Sequence, residues 1–263
     1  MVNIISINIR AIFRDRVFHG ILAIAVVFLL IPSISSLSMR QVTELSITLS
    51  LSLLSAIFII LSVTLGSSSI WKDIERRYTY SVLSLPLERS TYLVGKFLAV
   101  ALFLLLTSLV LGAVACLVVW LSSGIYPSER PILWLNLVAC ILFSVLKYIV
   151  LVAYAFLFST ISTSFFLPVF GTIAIFIAGN ATQQAYDYVN SNGASSISPL
   201  VKQAASFFYY ILPNFSAFDL KVNAIYGIPL TFRAIALPLL YFSIYTPLLV
   251  VVAAIIFSKR EMK

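Results

Sequence analysis

The sequence predicts an all-α integral membrane protein with six transmembrane helices, and three observations carry this prediction. Hydrophobic residues make up 61% of the 263-residue chain, charged residues only 10%, and the mean hydropathy is +1.08. Soluble domains hold about 45–50% apolar and about 25% charged residues, so too few charges remain here to cover a water-facing surface. The apolar residues also fall in runs close to the roughly 20 residues that a helix needs to cross a bilayer. We therefore expect a single membrane domain over residues 1–263.

Six apolar runs are the predicted transmembrane spans. In chain order they cover residues 17–37, 45–65, 97–121, 134–158, 165–178 and 234–257. The second is rich in serine, whose hydroxyl can hydrogen-bond inside its own helix. The fifth is short and contains Pro168 and Gly171, and the sixth contains Pro238 and Pro247, where kinks are expected.

The N-terminal segment, residues 1–16, has the pattern of an amphipathic helix. Ile5, Ile9 and Ile12 recur at helical spacing, whereas Arg10 and Arg14 fall on another face. This pattern predicts an interfacial helix whose arginines face anionic lipid headgroups.

The basic residues predict the orientation in the membrane. With six spans, most of them fall on the side of the termini: Arg10, Arg14, Arg16, Lys72, Arg76, Arg77, Arg89, Lys96, Lys259, Arg260 and Lys263. Fewer fall on the opposite side: Arg40, Arg130, Lys202, Lys221 and Arg233. By the positive-inside rule, both termini and the segment 67–96 are cytoplasmic in the cell (inner) membrane, and the segment 180–233 is external. The same bias accounts for the net charge of +8 without a nucleic-acid partner.

The external segment becomes aromatic before the last span. Phe207, Phe208, Tyr209 and Tyr210 form a run that favours the membrane interface, and Leu212-Pro213-Asn214 marks a break. We expect one or two short helices on or in the outer leaflet.

The sequence contains no strong catalytic motif. Gly95-Lys96 lacks the upstream glycine and the following Ser or Thr of a phosphate-binding loop, so the chain is not expected to hydrolyse ATP itself. His19 is the only histidine, and no Asp or Glu lies in a predicted span. The serine run Gly66-Ser67-Ser68-Ser69 lacks the second glycine of a nucleophile elbow and is predicted to be a loop. No enzyme, metal or cofactor is predicted.

The cytoplasmic segment is the most informative part of the chain. Its apolar positions recur at helical spacing: Trp71, Ile74, Tyr78, Val82 and Leu85. Its charged positions lie on the other side: Lys72, Asp73, Glu75 and Arg76. Pro86 ends the predicted helix. Such a helix either rests on lipid headgroups or docks its polar face into a soluble partner.

A longer motif in this segment resembles a known family. The stretches Ile74-Glu75-Arg76-Arg77, Leu83-Ser84-Leu85-Pro86, Arg89 and Gly95-Lys96-Phe97 are similar to the cytoplasmic signature of ABC-2 type permeases, except that Tyr78 stands where threonine is usual. Two weaker patches agree with it: Leu212-Pro213-Asn214-Phe215 with Phe218-Asp219-Leu220, and Phe257-Ser258-Lys259-Arg260-Glu261.

The resemblance implies a function. It makes the helix between spans two and three a coupling helix that fits a groove on a separately encoded ABC ATPase. The residues expected to couple are Trp71, Lys72, Asp73, Ile74, Glu75, Arg76, Arg77 and Tyr78. The expected assembly is an exporter with two ATPase subunits and a second permease copy. The alternative is a membrane scaffold that assembles a partner complex without transport.

Lys147 is the one basic residue inside a predicted span. A lysine at the bilayer centre costs about 2.5–3.5 kcal/mol on insertion scales. It lies about 15 Å from either end of its span, too far to reach the headgroups fully. We therefore expect it to face a cavity, a helix interface or the second subunit. It either lines the transport pathway toward an anionic substrate or bonds Ser, Tyr or backbone carbonyls within the bundle.

Overall fold

The regular structure of the described residues is entirely helical, as the sequence predicts. The computed structural model describes residues 2–14, 20, 27–36, 41–75, 88–125, 131–191 and 198–259. The α-helices there are α1 (Val2–Arg14), α2 (Ile31–Ser35), α3 (Val42–Glu75), α4 (Arg89–Ile125), α5 (Trp134–Ile161), α6 (Phe166–Asn190), α7 (Pro199–Ile211), α8 (Lys221–Tyr226) and α9 (Phe232–Lys259). Two 3-10 turns lie at Phe28–Leu30 and Ser216–Phe218.

Five of the described helices, α3, α4, α5, α6 and α9, are long and apolar enough to cross a membrane. This is the architecture of a multi-pass helical membrane protein. About half of the first predicted span, residues 17–37, lies outside the described residues. Its described part includes α2, with Pro32 in the first helical turn. A sixth span therefore stays a prediction.

Contacts between helix ends show that consecutive long helices alternate in direction. At one end of the bundle, the Ser46 hydroxyl at the start of α3 donates to the Ser122 hydroxyl near the end of α4, at 3.0 Å. At the other end, the ring of Trp71 near the end of α3 lies 4.9 Å from that of Phe165, just before α6. The short connection between α5 and α6 therefore lies beside the end of α3.

Helix α5 is the centre of the bundle. It packs against α3, α4, α6 and α9, and all residues from Tyr148 to Phe156 are buried. A helix that is apolar on every face needs neighbours on every side. The groups that surround Lys147 on α5 are therefore set by several elements at once.

Helix α3 extends beyond its predicted end. The sequence predicts a span ending at Leu65 followed by a serine loop, whereas α3 continues without a break to Glu75. A Cβ atom on Gly66 would lie 2.6 Å from the Ala155 Cβ, so glycine permits close packing of α3 on α5. The Ser69 hydroxyl donates to the Leu65 carbonyl at 2.6 Å, which makes serine compatible with the helix. The prediction of a loop at residues 66–69 is wrong.

The other four long helices also exceed their predicted bounds, and α5 does so by continuing to Ile161. Helix α4 begins at Arg89 rather than residue 97, inside the predicted loop. Helix α6 continues to Asn190, so the first residues of the predicted external segment 180–233 belong to this long helix. Helix α9 runs continuously through Pro238 and Pro247. Extended in this way, the short fifth span becomes a 25-residue helix.

The predicted N-terminal helix is present as α1. It packs against α4, and its Ile12 contacts the hydrophobic core. Ile7, in contrast, is 68% exposed. An amphipathic helix with one packed and one open apolar patch fits the interfacial position expected from the sequence.

The segment before α9 contains the short helices that the sequence predicts. Helix α7 packs on α6, with the rings of Tyr186 and Tyr209 stacked at 4.2 Å. Its other aromatic residues Phe207, Phe208 and Tyr210 are exposed. Residues 212–226 differ from α7, because several of their apolar side chains, among them Phe215, Phe218 and Leu220, are buried in the bundle.

Candidate functional site

Lys147 lies at the middle of α5, about 20 Å from either helix end at 1.5 Å per residue. Its amine donates a hydrogen bond of 2.6 Å to the Asn180 Oδ1 atom on α6. The amine also lies 5.2 Å from the ring centroid of Phe176 and 5.8 Å from that of Tyr148. An amide oxygen and two aromatic rings thus stabilise the ammonium charge at the middle of a helix long enough to span a membrane.

The other end of the Asn180 side chain is also bonded. Its Nδ2 atom donates to the Phe176 carbonyl at 2.7 Å. With the amide held in this way, the oxygen rather than the NH₂ group faces the lysine, as an ammonium requires. The sequence allows Ser, Tyr or backbone carbonyls as bonding partners of Lys147, whereas its acceptor is an asparagine side chain from the predicted external segment.

A cavity of about 410 Å³ opens beside the Lys147 amine. Three helices and the segment before α9 line it, with the residues Ser55, Ile59, Lys147, Tyr148, Phe176, Ile177, Asn180, Ala181, Gln184, Asp219 and Lys221. Two lysines and one aspartate therefore face the same space. Of the three surroundings expected for Lys147, a cavity, a helix interface or the second subunit, it is the cavity that this structure shows.

Asp219 and Lys221 reach this cavity because residues 212–226 pack into the bundle. Phe215 and Phe218 are fully buried. The Phe215 amide donates to the Gly179 carbonyl at 3.1 Å, and the Ser216 hydroxyl donates to the Asn180 carbonyl at 3.1 Å. These bonds join the segment to α6 at the level of the cavity.

The absence of a side chain at Gly179 permits this approach. A Cβ atom there would lie 2.6 Å from both the Pro213 carbonyl oxygen and the Phe215 Cδ2 atom. No heavy-atom contact of this kind occurs at such distances without a shift of backbone or ring. Gly179 therefore determines whether Asp219 and Lys221 can line the cavity.

At the end of the bundle where α3 ends, the structure describes only some of the predicted coupling residues. Trp71 lies on α3, and its ring contacts that of Phe165 at an interplanar angle of 48°. Lys72, Asp73, Ile74 and Glu75 are the last residues of α3, and their side chains are outside the described structure. Arg76, Arg77 and Tyr78 lie outside the described residues altogether.

A second contact fixes the start of α4 to the end of α3. The buried Lys96, part of the Gly95-Lys96-Phe97 motif, donates to the Ser69 carbonyl at 2.7 Å. Its amine also lies 5.4 Å from the ring centroid of Tyr92. The end of α3 and the start of α4, which flank the predicted cytoplasmic segment, are thus joined to each other.

Compared with known proteins, the sequence matches no family model and no curated protein.

Sequence reasoning missed Asn180, Asp219 and Lys221 as neighbours of Lys147. One signal could have found Asn180. The predicted fifth span of residues 165–178 is shorter than the roughly 20 residues needed to cross a bilayer, and extending it includes Asn180. No comparable signal exists for Asp219 and Lys221, because their positions depend on the fold of residues 212–226.

Replacing Asn180 by leucine is expected to destabilise the protein by about 1.5–3 kcal/mol, because the partly buried ammonium of Lys147 loses its acceptor. The double variant Lys147→Met/Asn180→Leu should recover most of this loss, because neither an unpaired charge nor an unpaired amide remains. Thermal unfolding of the detergent-solubilised protein measures both effects.

Asn190→Leu is the matched control for this cycle. Asn190 lies on the same helix and its Nδ2 atom likewise donates to the carbonyl four residues earlier, but the side chain is exposed. Its replacement should change stability by less than about 0.5 kcal/mol. Equal losses for Asn180→Leu and for the double variant would contradict a stabilising bond between Lys147 and Asn180.

Proposed function

We propose that the chain is the membrane-spanning permease subunit of an ABC-2 type exporter. A separate ATPase subunit hydrolyses ATP, and the permease, paired with a second copy, converts this into substrate movement across the cell inner membrane. The cytoplasmic motif between Ile74 and Phe97 carries the proposal. Its first two residues end α3 and its last three lie in α4, so the motif joins two long helices of the bundle.

The contacts of Trp71 support a role in transmitting motion. A coupling helix is useful only if its displacement reaches other helices. Trp71 lies on the unbroken α3, and its ring contacts that of Phe165 in the connection between α5 and α6. A force on the end of α3 would therefore act on this connection directly.

The pair α5–α6 extends this link into the membrane. Lys147 and Asn180 lie at equal distances along the two helices from their connection, and they are joined by the 2.6 Å hydrogen bond. A relative shift of α5 and α6 would change this bond and the cavity beside it. In the proposed exporter, Lys147 lies on or beside the transport pathway.

Co-purification tests the proposal directly. The tagged full-length chain should bring down an ABC ATPase from its native membrane, and the reconstituted complex should hydrolyse ATP faster than the ATPase alone. A complex that contains other proteins but no ATPase, or one without stimulated hydrolysis, would instead support the scaffold function.

The six-span topology predicts which positions an impermeant thiol reagent reaches. Ser6→Cys on α1 and Ser258→Cys at the end of α9 should both be labelled only after permeabilisation, because both termini are expected in the cytoplasm. Ser191→Cys, after α6, should be labelled in intact cells. All three serines are exposed.

The pair Ser6 and Ser258 distinguishes six spans from five. An odd number of spans would put these positions on opposite sides, so labelling of only one of them in intact cells contradicts the six-span model. The unmodified chain is the background control, since Cys140 is buried and Cys116 is partly buried in the bundle.

A further inference from the structure

The cavity beside Lys147 contains more positive charge than the described residues compensate. Within the described part of the chain, the Lys147 amine makes one hydrogen bond, to Asn180 Oδ1. An ammonium has three N–H donors, so two remain for another acceptor. The neighbouring aromatic rings stabilise the charge but cannot accept a directed hydrogen bond of comparable strength.

The second lysine in the cavity adds to this excess. Lys221 lines the same space, and its side chain has no hydrogen-bond partner among the described residues. Asp219 compensates one of the two charges, while its Oδ1 atom already accepts the Lys221 backbone amide at 3.1 Å. The three ionised groups that face the cavity thus leave one net positive charge.

A neutral donor completes the lining. The side chain of Gln184 has no hydrogen-bond partner within the described residues, and it faces the cavity with a free amide. The volume of about 410 Å³ lies in the range of roughly 300–1,000 Å³ that is typical of small-molecule sites. Two cations, an amide and this volume are suited to a phosphate or carboxylate group, which accepts several charge-assisted hydrogen bonds at once.

We propose that this cavity binds an oxyanion, the phosphate or carboxylate group of the exported molecule, between Lys147 and Lys221. Lys147 supplies a partly buried charge, Asn180 orients it, and Lys221 and Gln184 close the site from the side of α8 and α6. That the bound group belongs to the cargo depends on the proposed exporter function; that the cavity binds an oxyanion does not.

Thermal unfolding of the full-length chain in phosphatidylcholine nanodiscs tests the site. Inorganic phosphate or acetate, compared with chloride at equal ionic strength, should raise the unfolding temperature in a saturable manner. Lys147→Met should weaken the apparent affinity at least about tenfold, since it removes a charge-assisted hydrogen bond, and Lys221→Gln should weaken it less. Lys202→Gln removes a lysine from the exposed face of α7 and should leave the affinity unchanged.

A second arm distinguishes a lipid headgroup from a soluble anion. In nanodiscs of equal parts phosphatidylglycerol and phosphatidylcholine, native mass spectrometry should show whether the anionic lipid is retained in a manner that depends on Lys147. Retention without any phosphate or acetate effect identifies a lipid headgroup as the bound group. If neither arm shows a difference between the unmodified chain and both lysine variants, the proposal is overturned.

These measurements use the permease without an ATPase, so they separate the two proposals. Oxyanion binding with no associated ATPase would leave the site intact and refute the exporter. Stimulated ATP hydrolysis with no oxyanion binding would support the exporter and refute the oxyanion site. If Lys147→Met does not fold, two other variants still decide the outcome. Lys147→Arg keeps the charge and should preserve phosphate binding, whereas Lys221→Gln should weaken it.

Discussion

Glu75→Lys is expected to reduce the affinity of the chain for its ATPase subunit by more than about tenfold, while the protein still inserts and folds. Glu75 is the last residue of α3 and belongs to the motif Ile74-Glu75-Arg76-Arg77. Reversing a charge in a docking surface turns an attraction into a repulsion, which costs several kcal/mol across an interface. Co-purification of the ATPase and stimulated ATP hydrolysis measure the loss.

Glu44→Lys is the control for this reversal. It makes the same change on the same helix but at the opposite end, about 45 Å away at 1.5 Å per residue. It should leave ATPase binding unaffected. Unchanged binding in Glu75→Lys, or an equal loss in both variants, would contradict a coupling role for the end of α3.

Gly179→Ala is expected to lower the free energy of unfolding by about 1–3 kcal/mol, because the added methyl group overpacks the interior. The new Cβ atom would lie 2.6 Å from the Pro213 carbonyl oxygen, a backbone atom that no rotamer change can move, and 2.6 Å from Phe215 Cδ2. Relief requires residues 212–226 to move away from α6, which weakens the bond between the Phe215 amide and the Gly179 carbonyl. Thermal unfolding of the purified protein measures the change.

A glycine-to-alanine substitution at an uncrowded position is the control for Gly179→Ala. Gly124 near the end of α4 has nothing within 4 Å of an added Cβ atom. Gly124→Ala should therefore be neutral or stabilising by up to about 1 kcal/mol, since alanine favours a helix more than glycine does. A Gly179→Ala variant as stable as Gly124→Ala would show that residues 212–226 are not packed on α6 in this way.

The Gly179 variant also connects stability to the proposed site. Displacement of residues 212–226 would move Asp219 and Lys221 away from the cavity while leaving Lys147 and Asn180 on their helices. Gly179→Ala should then weaken phosphate binding by about as much as Lys221→Gln, and by less than Lys147→Met. This ranking follows from which element carries each charge.

The sequence by itself determined the helical membrane class of the protein, and five of its six predicted spans correspond to long apolar helices among the described residues. Long apolar runs with few charges are stable in a bilayer as helices, because a helix satisfies its own backbone hydrogen bonds there. Composition and run length therefore identified the membrane helices. The pattern of Ile5, Ile9 and Ile12 likewise identified α1. The coupling residues from Trp71 to Tyr78 were chosen by motif, and of these only Trp71 has a described side chain.

The sequence did not predict where the helices begin and end, because hydropathy measures transfer of a side chain to lipid and not its packing against protein. Gly66, Ser67 and Ser69 read as loop residues by composition, yet α3 continues through them since small side chains let it lie close to α5. Asn180 appeared to end a span because it is polar, yet Lys147 supplies the donor that lets it remain inside the bundle. Polar residues in a membrane helix are stable when a partner lies on the next helix, and no local pattern shows that partner.

The environment of Lys147 was decided by tertiary structure alone. The sequence established that a lysine in mid-membrane must have polar surroundings, since lipid tails cannot stabilise its charge. It could not show that Asn180 lies opposite, because this depends on the register of α5 against α6. It could not bring Asp219 and Lys221 to the same cavity, because residues separated by more than 70 positions meet there only after Gly179 admits Phe215 to the interior. Burial of aromatic side chains determines that approach, and burial is a property of the assembled bundle.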